Sequence, residues 1–397
     1  MALAKRNREL HIDREALATL SLLKEGVFSP VNNLMNQEES ILVDKTSSYK
    51  DTFFPFSFIL APSGKRNEEV LKNSKKGENL DLIVDGEKKG YLITDESFPI
   101  NKKERIEKIF LTSDLNHPGV LDMYNRLGNM AISGEFFIDS HDTLDIKQKI
   151  QEAKENLGVQ KSTAIMINAK PLHRGHERMI RSALESNDLV ILFLLKPHEQ
   201  DRFSFEIRYE TVQYFINHFL PKNRVIVLPF ENTYIFAGYN NIILDGIAAK
   251  NFGCDSITIG ENHSGIGIYY DQHGLNSLIN SFTQKHNIEI RVVSEYVYCD
   301  TCRTLVSTKT CPHGRHHHIS YNSEFMQGLI LSGVLPPAVL VRKEISAILL
   351  SKLFEDRFKD FNQKFINFFP NKGLIENMDD KKFYLKIMEL HQTVSLT

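Results

Sequence analysis

The sequence predicts a multidomain α/β protein, and three observations carry that prediction. At 397 residues the chain exceeds what one ordinary core organises, so two or three domains are expected. Its middle third alternates short apolar strand segments with helical patterns, which predicts a parallel sheet with helices on both faces. Three of the four cysteines fall between residues 299 and 311 beside a run of histidines, marking a small metal-stapled region after that sheet. The expected division is 1–158, 159–297 and 298–397.

Residues 13–24 read as a short helix ending in the turn Gly26-Val27-Phe28-Ser29-Pro30. Between 40 and 155, apolar runs such as Phe56-Ser57-Phe58-Ile59-Leu60 and Leu80-Asp81-Leu82-Ile83-Val84 sit between polar turns, so a small β-rich domain is expected. Residues 142–157 read as a helix leading into the next unit. Strand candidates follow at 163–168, 188–195, 224–229, 255–260 and 290–294, with helical patterns at 176–186, 205–219, 240–252 and 274–285. Further helices are expected at 323–333 and 342–354, before a tail rich in Phe and Lys whose Phe365, Phe368 and Phe369 are expected to pack against the body.

Composition excludes several classes. Hydrophobic content of 42% and charged content of 25% are those of a soluble globular protein. A net charge of −2 offers no basic footprint for nucleic acid. No apolar run reaches the length of a membrane span, and the first ten residues lack the apolar core of a secretory signal. A cytoplasmic protein with neither a nucleic-acid nor a membrane partner is expected. In a reducing compartment, clustered cysteines point to metal rather than disulfide.

The densest chemistry lies at 164–180. The apolar run Ala164-Ile165-Met166-Ile167 ends in Asn168-Ala169-Lys170-Pro171-Leu172, and His173-Arg174-Gly175-His176 then opens a helical pattern. A strand feeding a helix through a tight turn aims backbone N–H groups and the positive end of the helix dipole at one point, which suits phosphate. His173 and His176, three apart, are placed to donate to phosphate oxygens as charge leaves a scissile P–O bond. Lys170, Pro171 and Arg174 are the nearest candidates for holding a nucleotide. Ligands in such sheets bind beyond the carboxyl ends of the strands. The loop Gly260-Glu261-Asn262-His263-Ser264-Gly265-Ile266-Gly267 also follows a strand candidate, so Gly260, His263, Gly265 and Gly267 join the list. His198 and Asp201 read equally well as solvated loop residues, and Cys254 as a small buried hydrophobe.

Cys299 and Cys302 form a C-x2-C turn, and Cys311 follows eight residues later beside His313, His316, His317 and His318. Two thiolates on one side of a knuckle, with a Cys and a His from the return loop, complete a structural zinc tetrahedron. His316 is the first choice for the fourth ligand, because His313 is close to Cys311; His313 is the alternative.

Several segments together resemble ATP sulfurylase (sulfate adenylyltransferase), in order over most of residues 10–355. Gly26-Val27-Phe28-Ser29-Pro30 with Leu34-Met35 is similar to the family's GGFSPLxGFM opening, and His117-Pro118-Gly119 to its HPG element. Pro171 to His176 resembles the end of QxRNPxHxxH, and Lys196-Pro197 with Arg208 follows. Ala237-Gly238 and Lys250-Asn251-Phe252-Gly253-Cys254 resemble AGPRE…RKNYGC, Gly260 to Gly267 resembles GRDHAGxG, and Gly333, Pro336-Pro337 and Arg342-Lys343-Glu344-Ile345 resemble G…PP…FxRPEV. The resemblance implies a PUA-like β-rich N-terminal domain, a Rossmann-like catalytic domain of the HxGH nucleotidylyltransferase type, and a small C-terminal α/β domain with the zinc site. It implies that an oxyanion attacks the α-phosphate of Mg²⁺-ATP and pyrophosphate leaves, without an appended kinase domain. It also implies a small-molecule acceptor and the oligomeric habit of relatives.

Departures from the pattern gather on the oxyanion side. The glutamine and arginine of QxRN are replaced by Ile167 and Ala169, the arginine and aspartate of GRDHAG by Glu261 and Asn262, and the arginine of AGPRE by Asn240. The family's SGTKxR reads Ser320-Tyr321-Asn322-Ser323-Glu324-Phe325. Charge-assisted hydrogen bonds to a dianion are worth roughly 1.5–3 kcal/mol each. Their loss predicts an altered acceptor site beside a retained phosphate end, with a non-catalytic nucleotide-binding or scaffold protein as the alternative.

Overall fold

A computed structural model describes residues 8–139, 142–196, 202–231, 238–263, 270, 273–356 and 379–391. Of the positions singled out in the sequence, Pro197, His198, Asp201, Ala237, Gly265, Gly267, Phe365, Phe368 and Phe369 lie outside the described residues. The chain groups into two compact units, residues 1–164 with 231–292, and residues 165–230 with 293–397.

In the first unit, strand β1 (Glu9–His11) precedes helix α1 (Arg14–Lys24), whose N-terminus is capped by the Asp13 carboxylate accepting from the Ala16 N–H. Helix α2 (Gln37–Thr46) starts with a reciprocal capping box between Asn36 and Glu39. A small ladder of β2 (Ser48–Tyr49) and β3 (Thr52–Phe53) follows, then β4 (Leu60–Pro62), α3 (Lys65–Asn73), β5 (Asn79–Val84), β6 (Glu87–Pro99), α4 (Lys102–Phe110), α5 (Pro118–Arg126) and β7 (Leu127–Ile138). The larger sheet has the order β1-β5-β6-β7-β4, with β1 parallel to β5 and the other described pairings antiparallel. Gly134 (φ +154°) sits where the β6–β7 register shifts, and a Cβ there would meet the Ile93 carbonyl oxygen at 2.0 Å. The sheet fits the β-rich expectation, and five described helices are interleaved with the strands; besides α1, their amphipathic stripes were hidden among the short apolar runs.

Helix α6 (Asp142–Leu157) leads into β8 (Ser162–Ile167). Beyond it come α7 (Arg174–Leu184), β9 (Leu189–Lys196), α8 (Phe205–Phe219), β10 (Val225–Glu231), α9 (Gly238–Asn251), β11 (Ser256–Gly260), α10 (His273–His286) and β12 (Glu289–Val293). Their sheet has the order β10-β9-β8-β11-β12, and β8 is parallel to β11. All six residues of β8 are buried, as are the first six of β9. Strands covered on both faces carry continuous apolar runs, which is why the sequence revealed them so clearly.

The second unit continues with a three-stranded sheet of order β14-β13-β15, formed by β13 (Tyr296–Cys299), β14 (Thr304–Ser307) and β15 (His318–Ser320). Helices α11 (Ser323–Leu331), α12 (Lys343–Leu353) and α13 (Asp380–His391) complete it. Its core runs from Ile165 and Leu192 through Phe215 to Ile345, Leu349 and Met388, so the C-terminal helices pack in the same apolar cluster as β8 and β9. Among the described residues no helix is long and apolar enough to cross a membrane.

Candidate functional site

The turn after β8 is built by a buried cation. Arg208 of α8 is fully buried, and its guanidinium donates to the Asn168 carbonyl at 2.6 Å, the Asn168 Oδ1 at 3.1 Å, the Leu195 carbonyl at 3.0 Å and the Phe203 carbonyl at 3.1 Å. One side chain thus fixes the carboxyl ends of β8 and β9. Ala169 then takes a left-handed conformation (φ 50°), the Lys170–Pro171 peptide is cis, and Pro171 and Leu172 are buried.

His173 is the N-cap of α7. Its Nδ1 accepts from the His176 N–H at 3.3 Å, while the His173 N–H donates to His176 Nδ1 at 3.4 Å. The rings stack with centroids 3.5 Å apart, and Tyr321 also stacks on His173, at 5.3 Å. Because both Nδ1 atoms accept, this bonding assigns both imidazoles the Nε2–H tautomer. Burial, with His176 alongside, holds His173 well below the usual histidine range, and burial pushes His176 down to about 4. The arrangement is two neutral N–H donors carried by a helix N-terminus. Gly175 lies between them because a Cβ there would stand 3.1 Å from the His173 ring and 3.3 Å from Tyr321.

Arg174 lies beside this pair but is held elsewhere. It donates to Glu177 at 3.2 Å and to the Ala338 carbonyl at 3.1 Å. Glu177, buried at 4% exposure, also accepts from Arg342 at 2.8 Å. This two-arginine pairing ties the segment before α12 to the start of α7. Sequence reasoning named neither Glu177 nor Tyr321 as site residues. The only signal for Tyr321 was its place in a segment that departs from the family pattern.

In the first unit, His263 Nε2 lies 2.8 Å from the Asp245 carboxylate, which also accepts from Asn241 at 2.8 Å. Gly260, half-buried, ends β11 with open space where a Cβ would stand. Asn240 is buried and donates to the Lys108 and Ile109 carbonyls at 3.0 and 2.8 Å, a structural tie within the unit. His117 caps α5 through Nδ1 and meets the Tyr270 hydroxyl at 3.0 Å through Nε2. Ile167, which ends β8, and Ala169, in the turn after it, are buried within the apolar cluster of the second unit.

The cysteine knuckle is assembled by β13 and β14. The Cys302 N–H donates to Cys299 Sγ at 3.4 Å, and Cys302 and Cys311 sulfurs lie 3.9 Å apart. The ring facing the sulfurs is His313, with Nδ1 at 3.5, 3.3 and 3.6 Å from Cys299, Cys302 and Cys311. Cys299, Cys302, Cys311 and His313 form one group able to hold a metal ion. His316, the first choice from the sequence, is not in that group; its ring packs on His317, at 4.1 Å. The turn that closes with the Cys311 N–H on the Ser307 carbonyl brings His313 back over the sulfurs despite its nearness in sequence.

A family model for ATP-sulfurylase matches residues 143–352, and one for a PUA-like domain matches residues 1–139. The chain belongs to the ATP-sulfurylase family. It is 28% identical to a sulfate adenylyltransferase of Chloroflexus aurantiacus, over 86% of this chain and 90% of that one. It is 27% identical to a sulfate adenylyltransferase of Ignicoccus hospitalis, over 89% and 93%. Among solved structures it is similar in fold to a hexameric APS kinase from Thiobacillus denitrificans, with a TM-score of 0.62 and 17% identity. That alignment covers 87% of this chain and 63% of the solved one.

Proposed function

We propose that the protein is an adenylyl-transferring enzyme in which an acceptor attacks the α-phosphate of Mg²⁺-ATP and pyrophosphate leaves. The observation that carries this reading is the mutually capped His173–His176 pair, whose Nε2–H groups are free of the cap and neutral. Two fixed donors at a helix N-terminus suit the oxygens on which charge develops as the P–O bond breaks, and being pre-aligned they cost no reorganisation then. The nucleotide brings its own magnesium as substrate. Lys170 and the loop at Gly260 and His263 are the further candidates for nucleotide contact; Gly265 and Gly267 stay on the sequence argument alone. Arg174 and Pro171 support this reading as positioning residues, since one is tied to Glu177 and the other is buried.

Sulfate is the weaker acceptor in this reading. Ile167 and Ala169 place apolar, buried side chains where relatives of the resemblance carry a glutamine and an arginine, and Glu261 adds a carboxylate to the following loop. An acceptor that is less anionic, or that bears an amine, fits this set better. The test is pyrophosphate release from Mg²⁺-ATP with sulfate scored against a panel of neutral and amine-bearing acceptors. Turnover with a panel member above that with sulfate is the expected result. Robust sulfate-dependent turnover overturns the acceptor reading, and ATP binding without turnover for any acceptor favours the scaffold alternative.

The knuckle is read as a structural zinc site. A tetrahedron with Zn–S near about 2.3 Å and Zn–N near about 2.1 Å has edges of roughly 3.8 Å between sulfurs and 3.6 Å from sulfur to nitrogen. The separations of 3.9 Å and 3.3–3.6 Å support that fit. Cys299, Cys302, Cys311 and His313 would hold the ion, which cross-links the three-stranded sheet and leaves no position open for chemistry.

A further inference from the structure

We propose that the second unit carries a separate anion site on the side of α7, a cleft that takes a phosphate-bearing small molecule of about mononucleotide size. This inference goes beyond the reading above and does not depend on it.

The cleft has a volume of about 380 Å³ and is lined by five arginines: Arg174, Arg178, Arg181, Arg303 and Arg342. Small-ligand sites run from roughly 300 to 1,000 Å³. Arg174, Glu177, Arg178 and Arg181 fall at i, i+3, i+4 and i+7, so they share one face of α7. His173 and His176 fall on a different azimuth of the same helix. Arg303 comes from the turn between β13 and β14, directly after Cys302, and Arg342 from the N-cap of α12.

Charge is the argument. Among the lining residues, five guanidinium groups face a single carboxylate, Glu177, which is already shared between Arg174 and Arg342. Of the rest, Arg181 donates to the Phe219 carbonyl at 2.6 Å, and Arg178 reaches Glu185 only at 3.7 Å. Bunched cations repel, and a bound polyanion removes that repulsion while offering each planar fork a bidentate partner. The Tyr298 and Thr304 side chains add hydroxyl groups, while Leu305 and Val339 provide apolar wall. The mixture suits a phosphate ester with an organic part better than a bare anion, and phosphate recognition is common to both.

Equilibrium dialysis of the full-length chain against radiolabelled pyrophosphate and, separately, AMP tests this. The measurement is made in a His176→Ala background, so that contacts at the α7 N-terminus are weakened independently. Binding is expected to persist there, and to fall at least about tenfold when Arg178 and Arg303 are both changed to Ala. It is also expected to weaken as salt rises from about 50 to 200 mM. Arg178 and Arg303 are exposed, and an unchanged thermal midpoint in the double variant confirms that the fold is intact. Lysine at both positions is expected to restore part of the affinity. AMP binding more tightly than pyrophosphate supports the cleft with its apolar wall engaged, and equal affinity supports it through phosphate contacts alone. Affinity within about twofold of the parent in the double variant, for both probes, overturns the proposal. So does the absence of binding by the His176→Ala chain at about 1 mM probe.

Discussion

Two histidine-bearing turns in the second unit use the same ring in opposite ways. At the start of α7, His173 and His176 use Nδ1 to accept backbone N–H groups, which leaves Nε2–H as the donor. At the knuckle, His313 turns Nδ1 toward three sulfurs, in a group able to hold a metal ion. The difference teaches that a histidine's chemistry is fixed by which nitrogen the backbone claims. Where a helix N-terminus claims Nδ1, the ring keeps an Nε2–H donor; where the backbone leaves Nδ1 unclaimed, that nitrogen is able to ligate a metal.

The largest test of this contrast lies at the knuckle. Chelation, or Cys302→Ser, is expected to lower the thermal midpoint and expose residues 296–320 to proteolysis, because metal affinity in such sites is folding energy. Zinc measured by plasma emission is expected at one ion per chain, lost in His313→Ala and retained in His316→Ala. Retention in His313→Ala with loss in His316→Ala would reverse the ligand assignment.

Next in size is His173→Asn. Asparagine is an excellent N-cap, so the helix start is preserved while the Nε2–H donor is removed. Stability is expected to change by less than about 1 kcal/mol, and the rate of pyrophosphate release to fall roughly 10²–10³-fold. An equal loss of stability and activity would mean that the ring acts only as a cap.

The pH dependence is smaller and has a definite sign. A histidine whose folded pKa is depressed binds more protons when unfolded, so its contribution is full above the unfolded value near 6.5 and is lost as pH falls toward about 4. For His176 this amounts to roughly 3–3.5 kcal/mol at most. Urea unfolding between pH 7 and 4.5 is expected to show that decline, and His176→Asn to flatten it. A slope unchanged in the variant would place the titrating group elsewhere.

The smallest effect belongs to Gly175→Ala. A Cβ 3.1 Å from the His173 ring displaces it by a few tenths of an ångström, so activity is expected to fall about tenfold with little change in midpoint. Wild-type kinetics in this variant would show that the spacing of the two rings is loose.

Much of the site's skeleton was legible in the chain. The strands β8 and β9 stood out because burial on both faces demands unbroken apolar runs, and the two histidines were visible because a turn preceded a helical period. Pairings that join distant residues were not legible. Glu177 and Arg342 are 165 residues apart, and nothing in either neighbourhood announces the other. His313 ranked second to His316 because proximity to Cys311 reads as a steric obstacle until the turn through Ser307 is seen.

By itself the sequence determined the alternation of strands and helices, the apolar Ile167 and the small Ala169 around Asn168 before the histidine pair, and the presence of a C-x2-C spacing. These are local properties, set by period, spacing and residue type. Only the tertiary structure decided which imidazole nitrogen is free, which histidine meets the sulfurs, and that five arginines from three stretches of chain line one cleft. Those outcomes depend on hydrogen-bond direction and on long-range packing, neither of which a one-dimensional pattern carries.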